Sequence, residues 1–448
     1  MAHIVAGSGT KADRGAHECR LDHDVKVNDQ HLSRFLVRPL HPHEADLVSL
    51  LGVVMYADRR LRRLPTEPWG RQIEVSMPSF EPSAWTSPVV ASLTSCLNAL
   101  SGDDWAFDFS RQREHDPLLE LPFAGRATGG VVIPYSGGLD SLATLEALTQ
   151  TTDAVLLMTA GTTPAVERLL HDTSSFTRCH RVCVPVGKTG TRHQEPSYRT
   201  RSFMFYTLAA LAGWMADANE VVIPENGQGT FGPALVPEGR EHPLLTSHPR
   251  ITRLLREFLF QLVGDSVPRF HYLNAFKTKG EMLTVLPHTS ALWGQTVSCG
   301  RSLGRTKKLS GAPAHCGVCS NCLLRRIALN AAELDAIRAP REDYLWSNLD
   351  AATLEESGRM GISTTSADRG YAVNSVLGHE ALARRQLASA SSLAVQDAAH
   401  GMGSDVESTR AAMAGLIESH RREWDGVLAC LSEGSWVQAL VGVLDAQD

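Results

Sequence analysis

Two groups of residues in this chain have the types and spacing to do chemistry. Ser136-Gly137-Gly138-Leu139-Asp140-Ser141 follows the apolar run VVIPY (131–135) and leads into the helical pattern LDSLATLEAL. Adjacent glycines let a backbone turn tightly and bring its N–H groups close to an anion, and the start of a helix adds the favourable end of its dipole. The hexapeptide therefore reads as a polyphosphate cradle. The hydroxyls of Ser136 and Ser141 can donate to phosphate oxygens, and Asp140 is placed to hold Mg2+. An ordinary Gly-Gly turn with serine as a helix cap is the competing reading, and the strand-loop-helix setting favours the phosphate.

The second group is C-x2-C-x2-C at Cys316, Cys319 and Cys322, with Cys299 upstream. Four thiolates suit tetrahedral Zn2+, and the short spacings let consecutive ligands wrap one ion. An iron–sulfur cluster and a set of buried free thiols are the alternatives. His315, beside Cys316, reads as a bystander, and Cys179 and Cys183 as buried thiols on a strand.

Further polar residues fall where a ligand would lie. Lys277 and Lys279 share the short segment FKTKGEM, and a lysine near an α-phosphate would offset charge at the reacting phosphorus. Arg199 and Arg201 could present planar forks to a carboxylate or phosphate. Glu225 and Asn226 end the strand pattern EVVIPEN, where substrate is expected. His193 and His248 read as surface or structural groups, and the run Arg59-Arg60-Leu61-Arg62-Arg63 as a charged helix face.

The elements that must position these residues fall into three blocks. Residues 1–122 begin with a polar, His-rich stretch that reads poorly as structure. They continue with a helix pattern (46–64), a strand (71–77) and a helix closed by Gly102 (87–102), with Trp69, Trp85 and Trp105 between. An α+β accessory domain is expected. Residues 123–340 alternate apolar runs at 131–135, 154–160, 181–186 and 220–226 with amphipathic stretches such as 201–218, so a doubly wound parallel sheet covered on both faces is expected. Its ligand should sit at the carboxyl ends of the strands. Residues 341–448 read as several packed helices with no catalytic constellation.

Composition narrows the classes. The 448 residues include 43 Lys+Arg against 49 Asp+Glu, a formal charge of −6 that gives no global field for gripping nucleic acid, although a local basic channel stays open. Four of the seven lysines lie between 277 and 308. Nine cysteines are too few for a disulfide scaffold at this length, and their clustering suggests metal. No apolar run reaches the roughly 18 residues of a membrane span, and the first twenty residues lack a secretory build, so a cytoplasmic location is expected.

SGGLDS resembles the SGGxDS signature of the PP-loop ATP pyrophosphatases, and differs from the Walker sequence, which is absent. The resemblance implies an adenine-nucleotide alpha-hydrolase-like fold that binds Mg·ATP, cleaves it between the α and β phosphates and adenylates a substrate oxygen. With C…HCGVCSNCLLRR following, residues 125–335 are similar to 7-cyano-7-deazaguanine synthase, the queuosine-pathway enzyme. That family turns a 7-carboxy-7-deazaguanine into its nitrile and carries Zn2+ on four cysteines. Ser136, Gly137, Gly138, Asp140 and Ser141 match its phosphate loop, and Cys299, Cys316, Cys319 and Cys322 its metal ligands. Arg201 resembles an Arg-Asn pair, with Ser202 in place of Asn. The Gly- and Asp-rich stretch ending in Asp-Cys-Arg is replaced here by ENGQGTFGPALVP.

The longer build, with PENG, TSHP and FKTKGEM, looks like synthase-like proteins of bacterial antiviral defence operons. This implies a deazapurine substrate joined to ammonia, or to an amine on a partner protein from the operon. In the resulting assignment Asp140, Ser141, Lys277 and Arg201 are catalytic, residues 136–141 including Leu139 bind ATP, and Arg199, Arg201, Glu225, Asn226 and Lys279 face substrate. A PP-loop tRNA sulfurtransferase and a non-catalytic scaffold are the other readings.

Overall fold

The computed structural model describes residues 2–7, 15–21, 23–27, 40–64, 70–109, 130–152, 155–160, 179–183, 186–188, 194–236, 242–287, 292–301, 314–387 and 393–445. Trp69, His193, Lys11, Lys307 and Lys308 lie outside them.

The N-terminal block is built on a parallel sheet. β1 (Ala2–Gly7), β2 (His17–Arg20) and β3 (Val25–Val27) are followed by α1 (Pro42–Arg60), β4 (Gln72–Ser76), α2 (Ser87–Ser101) and β5 (Asp104–Asp108). The sheet order is β2-β1-β4-β5 with every pair parallel. The expected α+β arrangement is therefore corrected: helices cross between parallel strands. The stretch that reads poorly in sequence contains β1, whose polar His3 faces out while Ile4 and Ala6 are buried. Proline in the first turn starts α1 and α2, and Gly102 in the left-handed region (φ +72°) ends α2. A side chain at Gly102 would also run into the His242 ring, 2.7 Å from the Cβ position.

The central block supplies β6 (Val131–Pro134), α3 (Leu139–Thr149), β7 (Val155–Thr159), β8 (Cys179–Cys183), β9 (Val186–Lys188), α4 (Arg201–Met215), β10 (Glu220–Val222), α5 (Gly227–Leu235), α6 (Pro249–Val263), β11 (Arg269–His271), α7 (Lys279–Leu283) and α8 (Ser320–Ala331). Its five-stranded sheet has the order β11-β10-β6-β7-β8, all parallel. The run at 181–186 is not one strand: β8 takes the sheet edge, and β9 pairs antiparallel with β3. The strand order turns back at β6, which has the next strand, β7, on one side and the later β10 on the other.

Alternate strand residues bury into two cores, as a covered sheet requires. Val132, Leu156 and Val221 join a core with Leu208 of α4 and Phe258 of α6, whereas Ile133, Leu157 and Val222 join one with Leu142 of α3 and Leu329 of α8. The first core also holds Ile4, Ile73, Leu93 and Trp105 of the N-terminal block. Phe258 lies 6.4 Å from Trp85 and 6.2 Å from Phe203, ring centre to ring centre. A fully buried Leu or Phe contributes about 1.5–3 kcal/mol, so this shared interior binds the first block firmly to the second.

Charge crosses the same boundary. Arg63 pairs with Asp103 at 2.6 Å, Arg71 with Asp58 at 2.7 Å and with Asp103 at 2.5 Å, and Asp58 accepts from the Thr200 backbone N–H at 2.9 Å. The arginine run is thus only partly a solvated face: Arg62 is exposed, and Arg63 is buried because two fully buried carboxylates need cationic partners.

The last block is helical, with α9 (Leu354–Ser357), α10 (Ser366–Ala383), α11 (Leu393–Met402), α12 (Val406–Ala429) and α13 (Trp436–Asp445). Among the described residues no helix is long and apolar enough to cross a membrane.

Candidate functional site

Polar side chains gather at the carboxyl ends of β6, β10 and β11, beside the strand where the order turns back, at the crevice position of an open parallel sheet. In open parallel sheets this is where ligands bind. Ser136-Gly137-Gly138 leaves β6 and enters α3. Gly137 takes a left-handed φ of +71°, open to glycine without strain, and Gly138 is the N-cap residue of α3. The Ser141 hydroxyl donates to the Gly138 carbonyl at 2.9 Å, and the Gly138 N–H donates to the Ser136 hydroxyl at 3.3 Å. Ser136 is exposed at the mouth, Ser141 is buried, and Leu139 anchors the helix in the core.

Asp140 is the hub. Its two carboxylate oxygens accept from the Asn226 side-chain amide at 2.8 Å and from the Lys279 ammonium at 2.5 Å. Three βα loops, after β6, β10 and β11, therefore meet on one carboxylate. Asn226 caps α5 through Gly229 and also donates to Glu225 at 3.0 Å. Burial, with the Asp140 charge nearby, lifts the Glu225 carboxyl to about 8. The approach is possible because residue 229 is glycine: a Cβ there would stand 2.3 Å from the Glu225 oxygen.

The two lysines separate cleanly. Lys279 is buried against Asp140, and Lys277 is exposed to solvent. Thr278 between them is the N-cap of α7, and its hydroxyl and the Glu281 carboxylate form a reciprocal capping box. Lys277 thus lies outside the helix and Lys279 in its first turn, and of the two it is Lys279 that meets Asp140. The T-x-x-E signature was the sequence signal for this. Arg199 is also elsewhere: it is buried and donates to the His242 carbonyl at 2.7 Å. Arg201 is exposed at the start of α4 with its guanidinium 5.2 Å from the Phe205 ring centre. His248 is buried as the N-cap of α6, a structural role.

Residues with no sequence signal complete the site. Gln228 accepts from the Lys279 backbone N–H at 2.8 Å and contacts His420 of α12 at 3.3 Å. Thr278 donates its hydroxyl to Glu423 of α12, and Ser419 of the same helix donates to Glu281 at 2.7 Å. The C-terminal block, read in sequence as packed helices with no catalytic constellation, thus contacts the segment that carries Lys279.

The four cysteines also converge. The sulfurs of Cys299, Cys316, Cys319 and Cys322 all lie within 4.8 Å of one another, and Cys316 and Cys322 are 3.7 Å apart. Four sulfurs each 2.3 Å from one zinc at tetrahedral angles stand about 3.8 Å apart, far beyond the ~2.05 Å of a disulfide. The donor set therefore fits a tetrahedral metal such as zinc. Gly317 permits the turn: its φ is +92°, and a Cβ would come within 2.4 Å of the Trp346 carbonyl. Hydrogen bonds shared among the four packed sulfurs pull the Cys299 thiol down and push those of Cys316 and Cys322 up. His315 is not among the clustered donors, and its Nε2 accepts the Ser298 N–H at 3.2 Å.

The two sites touch through the backbone. The Val297 N–H donates to the Gly137 carbonyl at 3.3 Å, two residues before Cys299. Behind this segment the fully buried Arg325 of α8 pairs with Glu342 and donates to Thr296 at 2.7 Å.

No protein-family model matches this chain, and no curated protein is significantly similar to it.

Proposed function

We propose that the protein is an ATP-dependent, AMP-forming ligase on a doubly wound sheet of the PP-loop type. The observation that carries the reading is Asp140 of SGGLDS, held between Asn226 and Lys279 where the strand order turns back. Phosphate-binding loops gather a glycine turn, a helix start and a charged partner in this manner.

In this reading the substrate carboxylate oxygen attacks the α-phosphorus of ATP, the bond to the bridging oxygen of the β-phosphate breaks, and pyrophosphate leaves. An amine then attacks the acyl carbon, and AMP departs with the oxygen. Loop 136–141 would hold the pyrophosphate portion through backbone N–H groups and the two serine hydroxyls. Asp140 would hold Mg2+, which neutralises polyphosphate charge when bound. Lys279 would offset charge at the α-phosphorus, Glu225 and Asn226 beside Asp140 would face the acid, and Arg201 at the start of α4 would approach it from the exposed side. The substrate class, a 7-carboxy-7-deazaguanine-type carboxylate, and an acceptor that is ammonia or a protein amine in antiviral defence, rest on the sequence resemblance. The cysteine cluster would hold Zn2+ as a structural clamp. Sulfur transfer through the cluster fits less well, because Cys316, Cys319 and Cys322 are buried. A scaffold has no need of the polar contacts that converge on Asp140.

The test is release of AMP and pyrophosphate from Mg·ATP with 7-carboxy-7-deazaguanine. Asp140→Ala is expected to abolish release with the fold intact by circular dichroism; unchanged turnover in that variant removes the loop from the mechanism.

A further inference from the structure

The C-terminal helix α12 makes three polar contacts to the crevice from one face. Ser419, His420 and Glu423 stand at i, i+1 and i+4, close together on a helix surface. Ser419 reaches Glu281, His420 reaches Gln228, and Glu423 reaches Thr278. Each target adjoins Lys279: Thr278 precedes it as the helix cap, Glu281 closes the capping box, and Gln228 accepts its backbone N–H.

The Thr278 hydroxyl is fully used, accepting from the Glu281 N–H at 3.0 Å while donating its own hydrogen to Glu423. Glu423 fits because residue 280 is glycine; a Cβ there would stand 2.3 Å from the Glu423 oxygen. Trp424, the next residue, is fully buried in the core that includes Cys316, Cys319 and Cys322, and donates to Glu380 at 2.5 Å. The helix therefore has a rigid base from which to hold the loop.

We propose that Glu423, supported by Ser419 and His420, is a positioning residue that fixes Lys279 against Asp140, so that the C-terminal helix belongs to the nucleotide site. The placement of Lys279 stands on geometry alone. Its catalytic consequence rests on the ligase reading above.

Two measurements keep these apart. The first is acylation of Lys279 by an amine-reactive N-hydroxysuccinimide ester, followed by peptide mass spectrometry on the full chain. Lys279 is expected to react slowly in the native protein and in Glu423→Gln, whose amide oxygen still accepts from Thr278. In Glu423→Ala it should react about tenfold faster, as a locally opened segment does. Gly280→Ala, which displaces an intact Glu423, should behave like Glu423→Ala and serves if that variant does not fold. Equally slow labelling in the folded variants overturns the proposal.

The second is a double-mutant cycle on pyrophosphate release. Glu423→Ala should lower kcat by about 10²-fold with little change in KM for ATP, as small misplacements of a reacting group do. Added to Lys279→Ala, it should cause no further loss beyond about twofold. Losses that multiply would mean that Glu423 acts elsewhere, and this too overturns the proposal. If the native protein releases no pyrophosphate, the ligase reading falls while the labelling still decides the placement.

Discussion

The cysteine cluster and the Asp140 crevice are joined at Val297, yet they specify chemistry to different degrees. Among the cysteines, one element type at one spacing nearly dictates the occupant, because sulfurs 3.7 Å apart match the edge of a metal tetrahedron. In the crevice, a carboxylate, an amide, an ammonium and a second carboxyl can serve several ligands. There, the proposed polyphosphate ligand rests on topology as well: the place where the strand order turns back and the glycine turn beside it. A metal site can be read from distances alone, whereas a catalytic site needs the fold around it.

The largest effect expected from breaking this contrast is on the metal side. Zinc bound by four thiolates contributes folding free energy on the order of 10 kcal/mol, so Cys319→Ser should lose metal and melt at a markedly lower temperature. Full metal occupancy in that variant, measured by plasma emission, would refute the ligand assignment. On the crevice side Asp140→Ala should reduce AMP formation by at least about 10³-fold with the fold kept by circular dichroism, at a lower melting temperature because buried Lys279 loses its partner. Sharper still is the lysine pair. Lys279→Ala is expected to lower kcat by about 10²-fold and Lys277→Ala to stay within about twofold; the reverse ranking would return the role to Lys277.

A separate effect concerns pH. Burial lifts the Glu423 carboxyl from 4.5 to about 7, so between those values the folded state keeps a proton that the unfolded chain has released. Its contribution is complete below pH 4.5 and is lost as pH rises through about 7. Across that window the native protein should lose up to about 3 kcal/mol relative to Glu423→Gln, which cannot ionise. Parallel urea-unfolding curves at pH 5 and pH 8 would dismiss this linkage.

Much of this architecture was legible in the sequence, for identifiable reasons. β6, β7 and β10 are largely apolar runs because both their faces are covered, and Gly137-Gly138 announces itself by its place between strand and helix. β11 was not legible, since Arg269 and His271 are exposed on a short edge strand that depends on β10 for its pairing. β1 was hidden for a related reason, a polar alternation too brief to read without its parallel neighbours. Lys279 and Lys277 could have been told apart from the capping box. Glu423 and His420 could not: they lie more than a hundred residues from the segments they hold, and on α12 they look like any polar position of an amphipathic helix. Arg63 was misread as a surface charge because its carboxylate partners Asp58 and Asp103 meet it only in three dimensions.

The ring of Phe258, wedged between Trp85 and Phe203, has a practical corollary. Cutting the chain near residue 122 to isolate a minimal catalytic fragment would lay bare the greasy flank of α4 and α6, and such a piece is expected to precipitate. Recombinant work should therefore keep the leading segment attached, however dispensable it looks beside the glycine loop.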